Sequence, residues 1–347
     1  MCIRDSLKRS IALSQELGIS IDAQNVSSLG LAHMNQGNFD EGIVEIQRAL
    51  MVATRRNDKR SMATLYTFEG VLQMEKDDQE AALKSLKEGL SLSESLGNKL
   101  LICITTGSIG RIYLERGDFE AATKNFDVDL AISLELGDKQ GIAIAHGLVG
   151  ELQLIQGKFT KAKKSLKKSL KLSREIGYQK GIAKAENNLG DIFYLQEKYK
   201  KAQKKYQSAV EISRAINNKI VLGESLLELS QSYLGSGDYE KAHEGFSEAI
   251  MIGQALGNQD FIFASKILGA RMEALKGNVE NATLVLEGLL EINLSLEQEA
   301  EIYYYLFEID KSNLEYKEQA KRIYSHLIEK TPRYLYKHRL EELSSSP

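Results

Sequence analysis

The sequence predicts an all-α fold, an α-solenoid of antiparallel helix pairs, and three observations carry that expectation. Proline is nearly absent, two in 347 residues. Because proline breaks helix interiors, a chain that avoids it this thoroughly reads most simply as nearly all helix. Four sets of residues recur every 40 positions, the mark of a repeat array. Between turn signals, apolar residues recur at three and four, as in Phe159, Ala162, Leu166 and Leu170, the spacing of one helical face.

Each repeating set has a physical reason. Gly30, Gly70, Gly110, Gly150, Gly190, Ser230 and Ala270 place a small residue on the first helix of each unit. Gly42, Ala82, Ala122, Ala162, Ala202, Ala242 and Ala282 do the same on the second. Small side chains let the two backbones approach closely. Phe39, Gln79, Phe119, Phe159, Tyr199, Tyr239 and Val279 open the second helix just after a turn such as RGD (116–118). Asn57, Gly97, Gly137, Gly177, Asn217 and Gly257 follow a helical run, where a helix ends in the left-handed conformation that Gly and Asn adopt most cheaply. In the unit around residue 117 the spacing predicts helices over 99–115 and 119–136.

The order LG, an aromatic, then G-x-[FY]-x-x-A resembles the tetratricopeptide repeat. NNLGDIFYLQEKYKKA (187–202) and LSQSYLGSGDYEKA (229–242) carry it best, although Glu197 stands where the turn glycine belongs. The resemblance covers about 7–330 and implies a right-handed superhelix whose first helices line a concave groove. The 40-residue period exceeds the family's usual 34, and the usual proline after the second helix is missing, so the helices are expected to be longer.

Both ends depart from the register. LKRSIALSQELG (7–18) aligns with LKEGLSLSESLG (86–97), so the chain enters a unit at its second helix. The array itself is expected over 19–330, about seven full units and a shortened last one. Thr331 and Pro332 suit a helix start, which predicts a capping helix over 331–343 and a tail at 344–347. The opening MCIRDS (1–6) back-translates to ATG TGT ATA AGA GAC AGN, which resembles a transposon end joined to DNA in sequencing libraries. It is read as an artefact on a fragment of a longer protein.

Composition excludes several function classes. Net charge is −3, which points to neither nucleic acid nor a membrane surface, and no apolar run is long enough to span a bilayer. Two cysteines, Cys2 and Cys103, make no disulfide framework and fit a reducing, cytoplasmic setting. Histidines 33, 146, 243, 326 and 338 show no ligand-pair spacing. GSIG (107–110) lies inside a repeat helix rather than after a strand, so it is no phosphate loop. Cys103 falls in a set with Ala23, Ala63, Ala143 and Ala183, a small buried filler. No catalytic residue, cofactor or metal site is expected, and the chain reads as a binding protein rather than an enzyme.

Two surfaces stand out as binding candidates. The resemblance places Thr64, Thr67, Arg111, Glu151, Lys184, Asn187, Asp191, Gln231 and Arg271 on the groove-lining helices. Asn187 has one amide able to hold an extended peptide through both a donor and an acceptor. The Lys/Asn clamp of the family's chaperone-binding subgroup has no match at these positions. Residues 158–205 hold 15 Lys/Arg against 4 Asp/Glu, while the remainder holds 30 against 44. Lys161, Lys164, Lys168 and Lys171, with Lys201, Lys204 and Lys205 on the next unit, lie away from the apolar stripe. Such runs are usually a solvated helix face; the functional alternative is a docking ridge for an acidic partner.

The expectation is therefore a protein- or peptide-binding scaffold. LELGDKQGIAIA (134–145) and IEKTPRYLYKHRLEEL (328–343) resemble the C-terminal arrays of bacterial multidomain signalling proteins linked to cyclases, kinases or ATPases. That resemblance implies a sensory or scaffolding arm. The alternatives are a peptide-sensing regulator of transcription or phosphatase type and, more remotely, an enzyme built on the array.

Overall fold

The structure is a computed structural model that describes residues 38–345, together with Val26, Gly30 and His33. The expectations for 1–6, for the half unit at 7–18 and for the last two residues of the tail lie outside these residues. Among the described residues there are sixteen α-helices and no strand. They are α1 (Phe39–Arg55), α2 (Lys59–Glu75), α3 (Gln79–Ser95) and α4 (Lys99–Glu115). Next come α5 (Phe119–Leu136), α6 (Lys139–Ile155), α7 (Phe159–Glu175) and α8 (Gln179–Tyr194). Then follow α9 (Tyr199–Ala215), α10 (Lys219–Ser236), α11 (Tyr239–Leu256) and α12 (Gln259–Leu275). The last four are α13 (Val279–Leu290), α14 (Leu296–Ile309), α15 (Leu314–Lys330) and α16 (Tyr334–Ser345). The pair expected at 99–115 and 119–136 is α4 and α5.

Turns come in a fixed form. A residue with positive φ falls every twenty positions from Asn57 to Gly277, and four of these are not glycine: Asn57, Asp77, Glu197 and Asn217. The residue that follows begins the next helix. Asp58, Asp78, Asn98, Asp118, Asp238 and Asn258 each accept a backbone N–H there through the side chain. Each such cap contributes about 1 kcal/mol. In the basic stretch Lys198 takes that place and gives no side-chain cap. A two-residue link, one left-handed and one capping, thus turns the chain from helix to helix.

Packing inside the pairs explains the small-residue sets. The alanines at 82, 122, 162, 202 and 282 are fully buried. Seven residues after the start of each second helix stands a large side chain: Leu86, Phe126, Leu166 and Tyr206, all fully buried. Each packs against the glycine of the preceding helix. A Cβ built on Gly110 would lie 2.5 Å from Phe126, and one on Gly190 would lie 2.5 Å from Tyr206.

The chain divides into two compact units. One takes residues up to 149 with 168–181 and 217–220, the other 150–167, 182–216 and 221–347. In the second the period lapses after α13, which stops at Leu290. α14 starts on a capping box at Ser295 and Gln298. Phe263, Ile302, Phe307, Tyr324 and Leu343 share one core there. The last helix begins at Tyr334, not at the expected Thr331–Pro332 start. Thr331 instead ends α15 in extended geometry (φ −144, ψ 91), the conformation a following proline imposes on the residue before it.

Candidate binding surfaces

All nine groove candidates lie on the first helices of their pairs: Thr64 and Thr67 on α2, Arg111 on α4, Glu151 on α6. Lys184, Asn187 and Asp191 are on α8, Gln231 on α10 and Arg271 on α12. What surrounds them differs between the two units.

In the first unit the candidate polar side chains find partners in a neighbouring repeat or in their own helix, although Gln73 Oε1 is buried without one. Thr67 is fully buried, its Oγ1 3.1 Å from that of Thr105 and donating to the Ala63 carbonyl. It packs one repeat on the next and is not a ligand-facing residue, contrary to the expectation. The half-exposed Thr64 hydroxyl donates to Arg60 O within its own helix. Arg111 donates to Glu75 at 3.0 Å. This pair, Lys76–Asp40, Lys99–Glu135 and Arg116–Glu80 all join residues 36 apart, one helical turn less than the repeat. The buried Glu69 accepts from Gln47 and Ser85. Asp129, 4% exposed, accepts from Ser133, whose hydroxyl also lies 3.7 Å from the Cys103 thiol. Burial pushes the Asp129 carboxyl up to about 7, and the same cause raises the Cys103 thiol.

In the second unit, one register position on successive first helices reads Glu151, Asp191, Gln231 and Arg271, running from acid to base. Asp191 accepts from the Tyr206 hydroxyl at 2.8 Å. Burial raises its carboxyl, and the nearby charges of Glu151 and Glu224 push the same way. Glu228 is raised by burial and by Asp191, Glu224 and Glu301, so these carboxylates share one neighbourhood. Asn187 is 7% exposed and its Oδ1 has no hydrogen-bond partner, a deficit worth about 1–3 kcal/mol. Lys184 and Gln231 are half-buried.

Arg271 lies at the edge of a cavity of roughly 390 Å³. The cavity is also lined by Tyr194, Tyr199, Tyr304, Tyr305 and, from α16, Arg339. The Arg271 guanidinium carbon stands 4.2 Å from the centre of the Tyr305 ring. Arg339, 8% exposed, lies 3.8 Å from the Tyr304 ring centre and donates to the Tyr305 hydroxyl at 2.8 Å. Sequence reasoning missed Arg339, Glu224, Glu228 and the tyrosines. One signal was legible: Tyr336, Arg339 and Leu343 share the buried face of α16.

On the basic stretch Lys161, Lys164, Lys168 and Lys171 are exposed along α7, and Lys201 and Lys204 along α9. Lys205 departs from the expected ridge. It adjoins the buried Tyr206 and turns inward to pair with the buried Glu186 at 2.7 Å. Among the described residues no helix is long and apolar enough to cross a membrane.

Family models described as tetratricopeptide repeat match residues 143–176 and 181–253. These stretches are tetratricopeptide repeats, set within a tandem array of helix pairs. No curated protein matches it in sequence. Among solved structures, it is similar to the Rap conjugation gene regulator of plasmid pLS20 in complex with the Phr* peptide. That match has 14% identity, covers 93% of this chain and 97% of that one, and has a TM-score of 0.66. The array is also similar to the apo quorum sensor NprR from B. thuringiensis, at 14% identity, 94% and 97% coverage and a TM-score of 0.60. A third likeness is to a signal transduction ATPase with a tetratricopeptide repeat sensor, PH0952 from Pyrococcus horikoshii. There identity is 19%, coverage 92% of this chain and 54% of that one, and the TM-score 0.53. These likenesses are of fold.

Proposed function

We propose that the array binds a peptide or an extended protein segment on the first helices of its second unit, and that it works by binding rather than catalysis. The carrying observation is Asn187, a buried amide whose Oδ1 is left without a partner. A buried acceptor in that state is completed by a ligand N–H, and a peptide backbone supplies one every residue. One such bond is worth only about 0.5–1.5 kcal/mol, so neighbouring repeats must contribute too. Asp191, Gln231 and Arg271 stand ready on those repeats. In a cell this is a sensory or scaffolding arm of a signalling protein in the cytoplasm, with the exposed lysines of α7 open to an acidic partner. The fold shared with the sensor-bearing ATPase supports that reading.

A second reading, a peptide-sensing regulator, is favoured by the likeness to the Rap regulator and NprR, which extends over 97% of each of those chains. Random-sequence peptides displayed on phage and panned on the full chain test the shared claim. Saturable binders that Asn187→Ala weakens by about twofold to tenfold support it; no saturable binder, or binders indifferent to that change, overturns it. Small-angle scattering with a selected peptide then separates the two readings, since a sensor changes dimensions on binding and a passive scaffold does not.

A further inference from the structure

We infer that α16 is a clasp that closes the second unit by seating Tyr334 on the α6–α7 turn. The clasp opens to admit a ligand to the cavity beside Arg271. This gating role deepens the proposed function and rests on it.

In a solenoid each repeat touches only its neighbours. Tyr334 departs from that rule, since it meets residues more than four periods earlier in the chain. A Cβ on Gly157 would lie 2.6 Å from the Tyr334 ring. The Phe159 and Tyr334 rings meet edge to face, 4.9 Å between centres. Gly237 and Gly277 hold the same turn in later repeats, and a Cβ on either would meet nothing within 4 Å. The α8–α9 turn shares a wall with α16 as well. Leu195, Glu197 and Tyr199 line the cavity of roughly 390 Å³ together with Leu335, His338 and Arg339. One helix thus reaches across the unit to two early turns.

The two attachments of α16 differ in strength. Toward α14 and α15, Tyr336, Arg339 and Leu343 are buried, and Tyr336 and Leu343 belong to the last core. Arg339 donates to the Tyr305 hydroxyl, and Glu342 accepts from that of Tyr304. Toward the early turns, Tyr334 and His338 are only half-buried, Leu335 is 42% exposed, and the cavity separates the two sides. Contacts with little buried apolar surface open first. α16 therefore stays with α14 and α15 while the turns at 157 and 197 part from it. Asp191 and Arg271 stand near the ends of α8 and α12, the same ends that border the cavity, so parting uncovers them.

The test is double electron–electron resonance on the full chain carrying Cys2→Ser and Cys103→Ala. Spin labels go on Lys158→Cys and Lys337→Cys, both exposed positions. A closed population and a longer, open one are expected. Tyr334→Ala should raise the open fraction about threefold to tenfold, the worth of one aromatic pair. A second label pair, Arg322→Cys and Lys337→Cys, should keep its distance, because α16 stays on α15. Apparent affinity scales with the competent fraction, so retention of a random peptide pool should rise by the same factor. A disulfide between Gly157→Cys and Tyr334→Cys should lock the clasp. A Cβ on Gly157 would lie 3.1 Å from that of Tyr334, a few tenths of an ångström inside disulfide spacing. Asn57, Asp77, Glu197 and Asn217 show that such left-handed turn positions accept other residues. The oxidised chain should retain about tenfold less peptide than the reduced one, or less still. An open fraction unmoved by Tyr334→Ala overturns the clasp, and so does a lengthening of both label pairs, which means that α16 comes off whole. The label pairs decide this whether or not the disulfide forms. Equal retention by oxidised and reduced chains overturns the gating while leaving peptide binding intact. Retention by neither overturns the proposed function as well.

Discussion

Thr67 and Asn187 occupy the same place in their repeats, three periods apart, and meet opposite fates. In the first unit Thr67 is fully buried and bonded to Thr105 on the next first helix. In the second, Asn187 is nearly as buried and its Oδ1 bonds to nothing. The next repeating position shows the same contrast: Arg111 is paired with Glu75, whereas Arg271 carries an unpartnered Nη1. One scaffold position therefore serves two ends. Where a neighbouring repeat supplies the partner, the side chain joins repeats; where it does not, a buried polar atom is left without a hydrogen bond.

Four measurements test this contrast. The largest effect belongs to Asp129, a carboxyl satisfied by Ser133 yet raised to about 7 by burial. A carboxyl raised in the folded state keeps a proton that the unfolded chain has released above its ordinary value of 3.8. Its contribution therefore falls as pH climbs from about 4 to about 7 and is level on either side. Asp129→Ala, which restores the residue found at Ala49, Ala209 and Ala249, should remove that fall. It should stabilise the chain above pH 7 by on the order of 2–4 kcal/mol, read by urea unfolding across pH. An unchanged pH slope would place the charge elsewhere.

Next in size, Gly110→Val and Gly190→Val should each cost about 1–3 kcal/mol by driving a side chain into Phe126 or Tyr206. Equal losses in thermal unfolding would show that the two units share their packing and differ only in their polar groups. Smaller, and of opposite sign, are Thr67→Val and Asn187→Ala. The first should cost about 1 kcal/mol by removing a buried hydrogen bond, and the second should leave stability level or raise it by about 1 kcal/mol while weakening peptide binding by about twofold to tenfold. Two equal losses would erase the distinction drawn between the units. Least of all, Asp77→Gly should gain about 0.5–1 kcal/mol by relieving a left-handed residue (φ 67), a change confined to one turn.

Much of the fold is legible in the sequence because helix pairing is a local matter. Helix starts and stops follow from residues within a turn of each boundary, so the spacing places α4 and α5 to the residue. The start of α16 departs from its expected place because Thr331 and Pro332 satisfy a capping rule and an extended-before-proline rule at once, and the sequence does not say which applies. The candidate surfaces are legible only as positions. Thr67 reads as groove-facing because its register matches that of Asn187. What separates them is Thr105, contributed by another helix. Lys205 reads as one of the outward lysines although it adjoins Tyr206, and the buried Glu186 that draws it inward lies on α8.

The 40-residue repeat, the helix pairs, the small-residue positions within each pair and the turns that join them are all readable from the sequence alone. All of these depend on the spacing of residues near one another in the chain. Which polar side chains find partners and which do not is set in three dimensions. The ion pairs at a separation of 36, the carboxylates gathered around Asp191 and the meeting of Arg271 with Arg339 on Tyr305 each join different repeats. Hydrogen bonds and desolvation depend on what lies within a few ångströms in space, and stacking repeats brings residues about a period or more apart into that range.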